Sequence, residues 1–150
     1  MPTEIEHVEF TDVDVVPVVN RLAGAAWVNL DPAVEPDDVP PARGALGALF
    51  SGRGPDIPRA TWVAAAGREP VTIGVQHGTG RRVTAVLAEY GLGVPEAWTI
   101  VQDHPRRGFV AALPDGDGHP AATLEWLLAA ATALATVPLT GRWRAEIHRR

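Results

Sequence analysis

The chain has 150 residues, enough to bury the core of one domain, and its 46% hydrophobic and 21% charged residues are typical of globular proteins. Its formal net charge of −5 disfavours nucleic acid as a partner, because an acidic chain repels phosphate backbones. The sequence contains no cysteine and no lysine, which excludes thiol nucleophiles, thiolate metal sites, Schiff-base lysines and P-loops.

Acidic residues are concentrated near the start of the chain. Residues 1–40 hold nine acidic side chains and one arginine, whereas residues 41–150 hold nine acidic side chains and twelve arginines. The first ten residues lack the basic flank and apolar stretch of a signal peptide, and no apolar run is long enough to span a bilayer comfortably. We therefore expect a cytoplasmic protein with no membrane partner. The arginine- and alanine-rich, lysine-free composition is typical of a GC-rich bacterial genome.

The first third of the chain shows short and mixed patterns. A short edge strand is predicted at 4–10, and a helix is predicted to start near Asp14, because Leu22 and several valines then share one helical face. Residues 27–30 form a brief strand candidate. The proline-rich acidic stretch 31–44 predicts a loop, and a short helix is predicted at 42–50. We expect residues 1–59 to form a segment rich in helix and loop.

Residues 60–150 show clearer periodicity. Two hairpins are predicted, one from strands at 60–66 and 70–76 and the other from strands at 98–104 and 108–114. Helices are predicted at 80–91, where apolar residues form one stripe, and at 121–137, where alanine and leucine predominate. Alternation at 141–148 predicts a final strand. The predicted order from residue 60 is ββαββαβ.

This order predicts an α+β fold in two layers, with helices on one face of a mixed β-sheet. The chain is expected to form a single domain, 1–150, in which residues 1–59 pack on a sheet–helix core formed by residues 60–150. The helix at 121–137 is apolar nearly all round, so both of its faces are expected to be covered.

Two similar stretches suggest a site. The sequences "TIGVQHGTGRR" (72–82) and "TIVQDHPRRG" (99–108) share Thr-Ile, Val-Gln, His and Arg-Arg in the same order. Both stretches overlap the end of a predicted strand, at 70–76 and at 98–104. A helix is predicted between these two strands, which indicates a β-α-β unit with parallel strands. His77 and His104 should then leave the sheet at the same edge, where open α/β sheets tend to bind ligands.

The residue types at this edge suit an anionic ligand. His77 and His104 are candidate acid–base groups, and Asp103 is a candidate orienting carboxylate. Arginine binds carboxylates and phosphates well, and backbone N–H groups at a helix start add to this preference. Two imidazoles and a carboxylate could also hold a metal, although the sequence contains no short metal-ligand motif and no cofactor is predicted. The candidate ligand-binding residues are Gln76, Thr79, Arg81, Arg82, Gln102, Arg106 and Arg107.

A structural interpretation competes with this site. Asp-His-Pro is common turn chemistry, because an aspartate can bond to nearby backbone and proline presets a turn dihedral. Paired arginines before an apolar strand are often a solvated strand end. Both interpretations remain open from the sequence.

Two functions from different classes follow. The favoured prediction is a non-catalytic domain that binds a protein partner or a second copy of itself, because no complete catalytic constellation is present and the helix at 121–137 needs cover. The alternative is a small enzyme or ligand-binding protein for a carboxylate or phosphate at residues 76–82 and 102–107, with hydrolysis or isomerisation more plausible than redox chemistry.

Overall fold

The computed structural model describes residues 3–40 and 54–150, and the strands in these residues form one seven-stranded sheet. The spatial order is β1-β7-β2-β3-β4-β6-β5, and every neighbouring pair is antiparallel. The strands are β1 Glu4–Thr11, β2 Trp27–Pro32, β3 Arg59–Val63, β4 Val71–Gln76, β5 Thr99–His104, β6 Gly108–Leu113 and β7 Arg142–Arg149. The α-helices in the described residues are α1 Val16–Val19, α2 Val83–Glu89 and α3 Pro120–Leu134, and a 3-10 helix spans Pro36–Asp38. The α+β class predicted from the sequence is confirmed.

The prediction of a mixed sheet is wrong, because no described strand pairs with a parallel neighbour. The β5–β6 hairpin causes this difference. After the turn at 105–107, β6 returns between β4 and β5 and pairs with both. β4 and β5 therefore still run in the same direction, as the β-α-β unit requires, but one antiparallel strand separates them.

The N-terminal part of the chain belongs to the sheet and is not a separate layer packed on it. The strands expected at 4–10 and 27–30 are present, and they pair with opposite sides of β7. β2 also pairs with β3, which joins the N-terminal strands to the rest of the sheet. The sheet is therefore larger than the two-layer prediction implied. The helix predicted at 42–50 lies outside the described residues.

Strand alternation divides the sheet into a covered face and a helix-free face. In β4, Val71, Ile73 and Val75 are buried on the covered face, where α3 packs against β3 and β4. The intervening residues Thr72 and Gly74 lie on the opposite face, which contacts none of the α-helices in residues 3–40 and 54–150. We call that surface the helix-free face.

The last helix, α3, is covered mostly by its own chain. Its leucines are buried against the sheet, and α1 and α2 contact it from the sides. The exposed positions form a narrow stripe of small or polar residues: Ala122, Glu125, Ala129 and Thr132. Intramolecular packing thus accounts for most of the apolar character of α3. No helix in the described ranges has the length and apolarity needed to cross a membrane.

Candidate functional site

The structure brings the two predicted histidines to one edge of the sheet but places them on opposite faces. His104 ends β5, and His77 directly follows the parallel-running β4. His104 pairs with Gly108 at a position on the helix-free face, whereas Asp103 pairs with Phe109 on the covered face. Gln76 pairs with Arg59 on the helix-free face, so His77 turns to the covered side, where it is 1% exposed. The two imidazoles therefore do not share a pocket.

Asp103, which lies in β5, caps the N-terminus of α2. Its Oδ1 accepts a hydrogen bond from the Val83 N–H at 2.6 Å. Its Oδ2 accepts bonds from the Thr84 N–H at 3.3 Å and the Thr84 hydroxyl at 2.6 Å. These donors are among the backbone groups that a helix start leaves unpaired. The carboxylate predicted to orient a histidine is instead committed to the start of a helix.

His77 is a buried neutral imidazole. Its Nδ1 accepts from the Thr79 hydroxyl at 2.9 Å and from the Thr79 N–H at 3.4 Å, which places the ring proton on Nε2. Nε2 is buried and has no hydrogen-bond partner among the residues the structure describes. Burial lowers the pKa of His77, and the nearby negative charge of Asp103 opposes this shift only in part. The ring has no access to solvent, so it is poorly placed to shuttle protons.

His104 and Gln102 fix the turn between β5 and β6. The Nδ1 atom of His104 accepts from the backbone N–H groups of Arg106 and Arg107, each at 3.0 Å. The amide of Gln102 donates to the carbonyls of Arg107 and Gly108 at 3.0 and 3.2 Å. These contacts are the turn chemistry that the sequence also allowed.

The four predicted arginines differ in their partners. Arg81 forms a 2.6 Å ion pair with Glu89, and that hydrogen bond raises the pKa of Arg81. Arg82 and Arg106 are exposed, and no described acidic side chain pairs with either. Arg107 likewise has no ion-pair partner among the residues that the structure describes, and it lines a groove on the helix-free face.

This sheet groove has a volume of about 310 Å³ and crosses β2, β3, β4 and β6. Gly74 lies at its base, where an added Cβ would approach the Phe109 carbonyl oxygen to 3.1 Å. A side chain at this position would fill the groove, so the glycine keeps it open. Polar groups on the walls come from Asn29, Arg59, Thr61, Thr72, Gln76 and Arg107. The predicted residues Gln76 and Arg107 therefore meet here.

The two arginines of the sheet groove are electrostatically different. Arg59 binds both oxygens of Asp31 at 2.7 and 3.0 Å, and this hydrogen bonding raises the pKa of Arg59. Asp31 thus neutralises the positive charge of Arg59. Arg107 has no such counterion in the described part of the chain, so it supplies the groove with a free guanidinium.

A polar network beside the groove was not found from the sequence. Glu146 accepts hydrogen bonds from His148 Nε2 at 2.6 Å and from Asn29 Nδ2 at 3.1 Å, and these donors lower the pKa of Glu146. His7 Nε2 lies 3.6 Å from the other carboxylate oxygen. Asn29 in turn accepts a bond from Thr61, which ties the network to the groove wall. Alternation in "GRWRAEIH" indicates that Glu146 and His148 share a face, but the contact with His7 depends on the pairing of β1 with β7.

The described side chains include no group of three histidine, aspartate or glutamate residues arranged to hold a metal ion. The metal alternative for His77, His104 and Asp103 therefore has no geometric support.

The chain matches no protein-family model, no curated protein and no solved structure at a significant level.

Proposed function

We propose that this protein is a non-catalytic binding protein that holds a small anionic molecule, a carboxylate or a phosphate, in the sheet groove. The observation that carries this proposal is the guanidinium of Arg107, which pairs with no acidic side chain in the described residues and lies among hydroxyl and amide groups on the helix-free face. The proposal keeps the ligand class expected from the sequence and moves the site from the strand ends to the neighbouring groove.

The groove offers the groups that anion recognition needs. A guanidinium presents parallel N–H donors that match the two oxygens of a carboxylate or phosphate. Thr61 and Thr72 supply hydroxyls, and Asn29 and Gln76 supply amides. A volume of about 310 Å³ is at the small end of ligand sites, which range from about 300 to 1,000 Å³. A small acid therefore fits better than a nucleotide.

The contacts of the three candidate catalytic residues favour binding over catalysis. Asp103 caps a helix, His104 closes its own turn, and His77 is buried on the other face. An acid–base mechanism needs such groups within reach of one reacting atom. Self-association was predicted because α3 was expected to need cover from a second molecule. Most of α3 is instead packed against its own chain, so this reason no longer supports self-association.

The test compares two adjacent arginines. Calorimetric titration with inorganic phosphate, acetate and small dicarboxylates would be carried out on wild type, Arg107→Gln and Arg106→Gln. Both substitutions remove one positive charge from the same exposed turn, but only Arg107 lines the groove.

We expect at least one of these anions to bind wild type and Arg106→Gln alike, and Arg107→Gln to bind about tenfold more weakly, as the loss of a charge-assisted contact implies. Equal weakening in both variants would indicate general electrostatic attraction and would refute the site. The absence of binding for every anion in the series would refute the proposed function.

A further inference from the structure

A second groove lies on the helical side of the molecule and is independent of the sheet groove. It has a volume of about 490 Å³ and lies between α3, the residues that follow α2, and the turn between β1 and α1. Its apolar lining residues are Val13, Tyr90, Leu92, Leu128, Ala129 and Ala133. We call it the acidic-rimmed groove, because Asp12 and Glu125 also line it.

Large apolar side chains are unusually exposed at this groove. Val13 is 91% exposed and Tyr90 is 66% exposed, although both lie beside the apolar surface of α3. Single exposed apolar residues are ordinary, but apolar residues that together line one concave surface mark interaction sites. The small side chains of Ala129 and Ala133 would let a partner approach the backbone of α3 closely.

The carboxylates at the rim of the groove favour a positively charged partner. Asp12 and Glu125 are both exposed, and neither forms an ion pair with any arginine or histidine of the described chain. Other acids of the described chain do form ion pairs, for example Asp31 with Arg59 and Glu89 with Arg81. Two unpaired carboxylates beside an apolar floor are complementary to a segment with apolar residues and flanking basic residues.

We propose that the acidic-rimmed groove binds a basic amphipathic helix of another protein. A helix fits better than an extended strand, because the lining residues come from α3, the segment after α2 and a turn, and none of them belongs to a strand that could pair with a peptide backbone. Apolar residues of the partner, spaced three and four positions apart, lie against Tyr90, Leu92 and Ala129. Its lysines or arginines lie beside Asp12 and Glu125.

The test uses a labelled helical peptide with leucine and alanine on one face and lysines flanking that face. A matched peptide carries glutamates in place of the lysines. Fluorescence anisotropy measures binding to the full protein, and amide chemical-shift changes locate the contact. The protein variants are Ala129→Arg, which places a bulky positive charge in the groove, and Glu125→Gln. Glu69→Gln, an exposed acid outside the groove, is the control with the same charge change.

We expect the lysine peptide to bind and the glutamate peptide not to bind, with shift changes at Val13, Tyr90 and Ala129. Glu125→Gln should weaken binding about two- to fivefold, as expected for an exposed ion pair, and Glu69→Gln should leave it unchanged. Ala129→Arg should abolish binding but retain the melting temperature and any anion binding in the sheet groove, which separates the two proposals.

Three outcomes would overturn the proposal. One is equal binding of both peptides, and another is shift changes away from the groove. The third is concentration-dependent dimerisation of wild type that Ala129→Arg abolishes, because the occupant would then be a second copy of this chain.

Discussion

Replacing Asp103 tests whether this residue is a structural cap. Asp103→Ala removes the acceptor for the N–H groups of Val83 and Thr84 and for the Thr84 hydroxyl. Val83 is 0% exposed, so its N–H cannot turn to water without local opening. Loss of a helix cap costs about 0.5–2 kcal/mol, and a buried unsatisfied donor costs about 1–3 kcal/mol.

We therefore expect Asp103→Ala to lower the free energy of unfolding by about 2–3 kcal/mol, because the cap loss and the unsatisfied donor are partly the same event. In a chain of this size that corresponds to a melting temperature lower by about 4–12 °C. Asp103→Asn keeps an acceptor oxygen for Val83 and should lose only about 1 kcal/mol.

The assay is urea unfolding followed by tryptophan fluorescence, with amide hydrogen exchange at Val83 and Thr84. Asp115→Ala is the control, because Asp115 is an exposed acid in a turn with no side-chain hydrogen bond to another described residue. A loss below about 0.5 kcal/mol for Asp103→Ala, or unchanged exchange at both amides, would show that the capping argument is wrong.

Two further predictions concern the edge of the sheet near β4. Because burial lowers the pKa of His77 below the usual 6.5, the unfolded chain takes up a proton first as the pH falls. The contribution of His77 to the free energy of unfolding is therefore complete above about pH 6.5 and declines below it, by at most about 1.4 kcal/mol per pH unit. In urea unfolding between pH 6.5 and 5, His77→Asn should make the free energy of unfolding less dependent on pH. A pH dependence as steep as that of the control His119→Asn would contradict this. Gly78→Ala should lower the free energy of unfolding by about 1–3 kcal/mol, because the added Cβ would lie 2.6 Å from the carbonyl oxygen of Pro55. The control is Gly93→Ala, which should change the melting temperature little, because no atom lies within 4 Å of the added Cβ. Equal melting temperatures for the two variants would refute the steric argument.

The contrast between Asp103 and Arg107 shows how far the candidate site could be predicted. In the stretch "TIVQDHPRRG" polar residues meet at a turn, and Arg107 lines a groove together with Gln76. The roles of Asp103 and His77 could not be predicted, because they depend on which face of the sheet each residue occupies. A strand turns its side chains to the opposite face with every residue, so a one-residue difference separates Gln76 on the groove wall from His77, which is buried on the covered side.

Local patterns in the sequence determined most elements of the fold. Alternation in β4 and in β7, the alanine-rich run of α3 and the glycine after the 83–89 helix all act over a few residues, so they are readable without a partner. The α+β class follows from the order of these elements.

Only the tertiary structure decided the order of the strands and the surfaces they create. The insertion of β6 between β4 and β5 makes the sheet antiparallel, and the position of β7 between β1 and β2 brings His7 to Glu146. These strand pairings join residues that are far apart in the chain, so no local pattern specifies them. They are selected by which apolar faces can be buried together. The same packing covers most of α3 and places the sheet groove and the acidic-rimmed groove on opposite sides of the molecule.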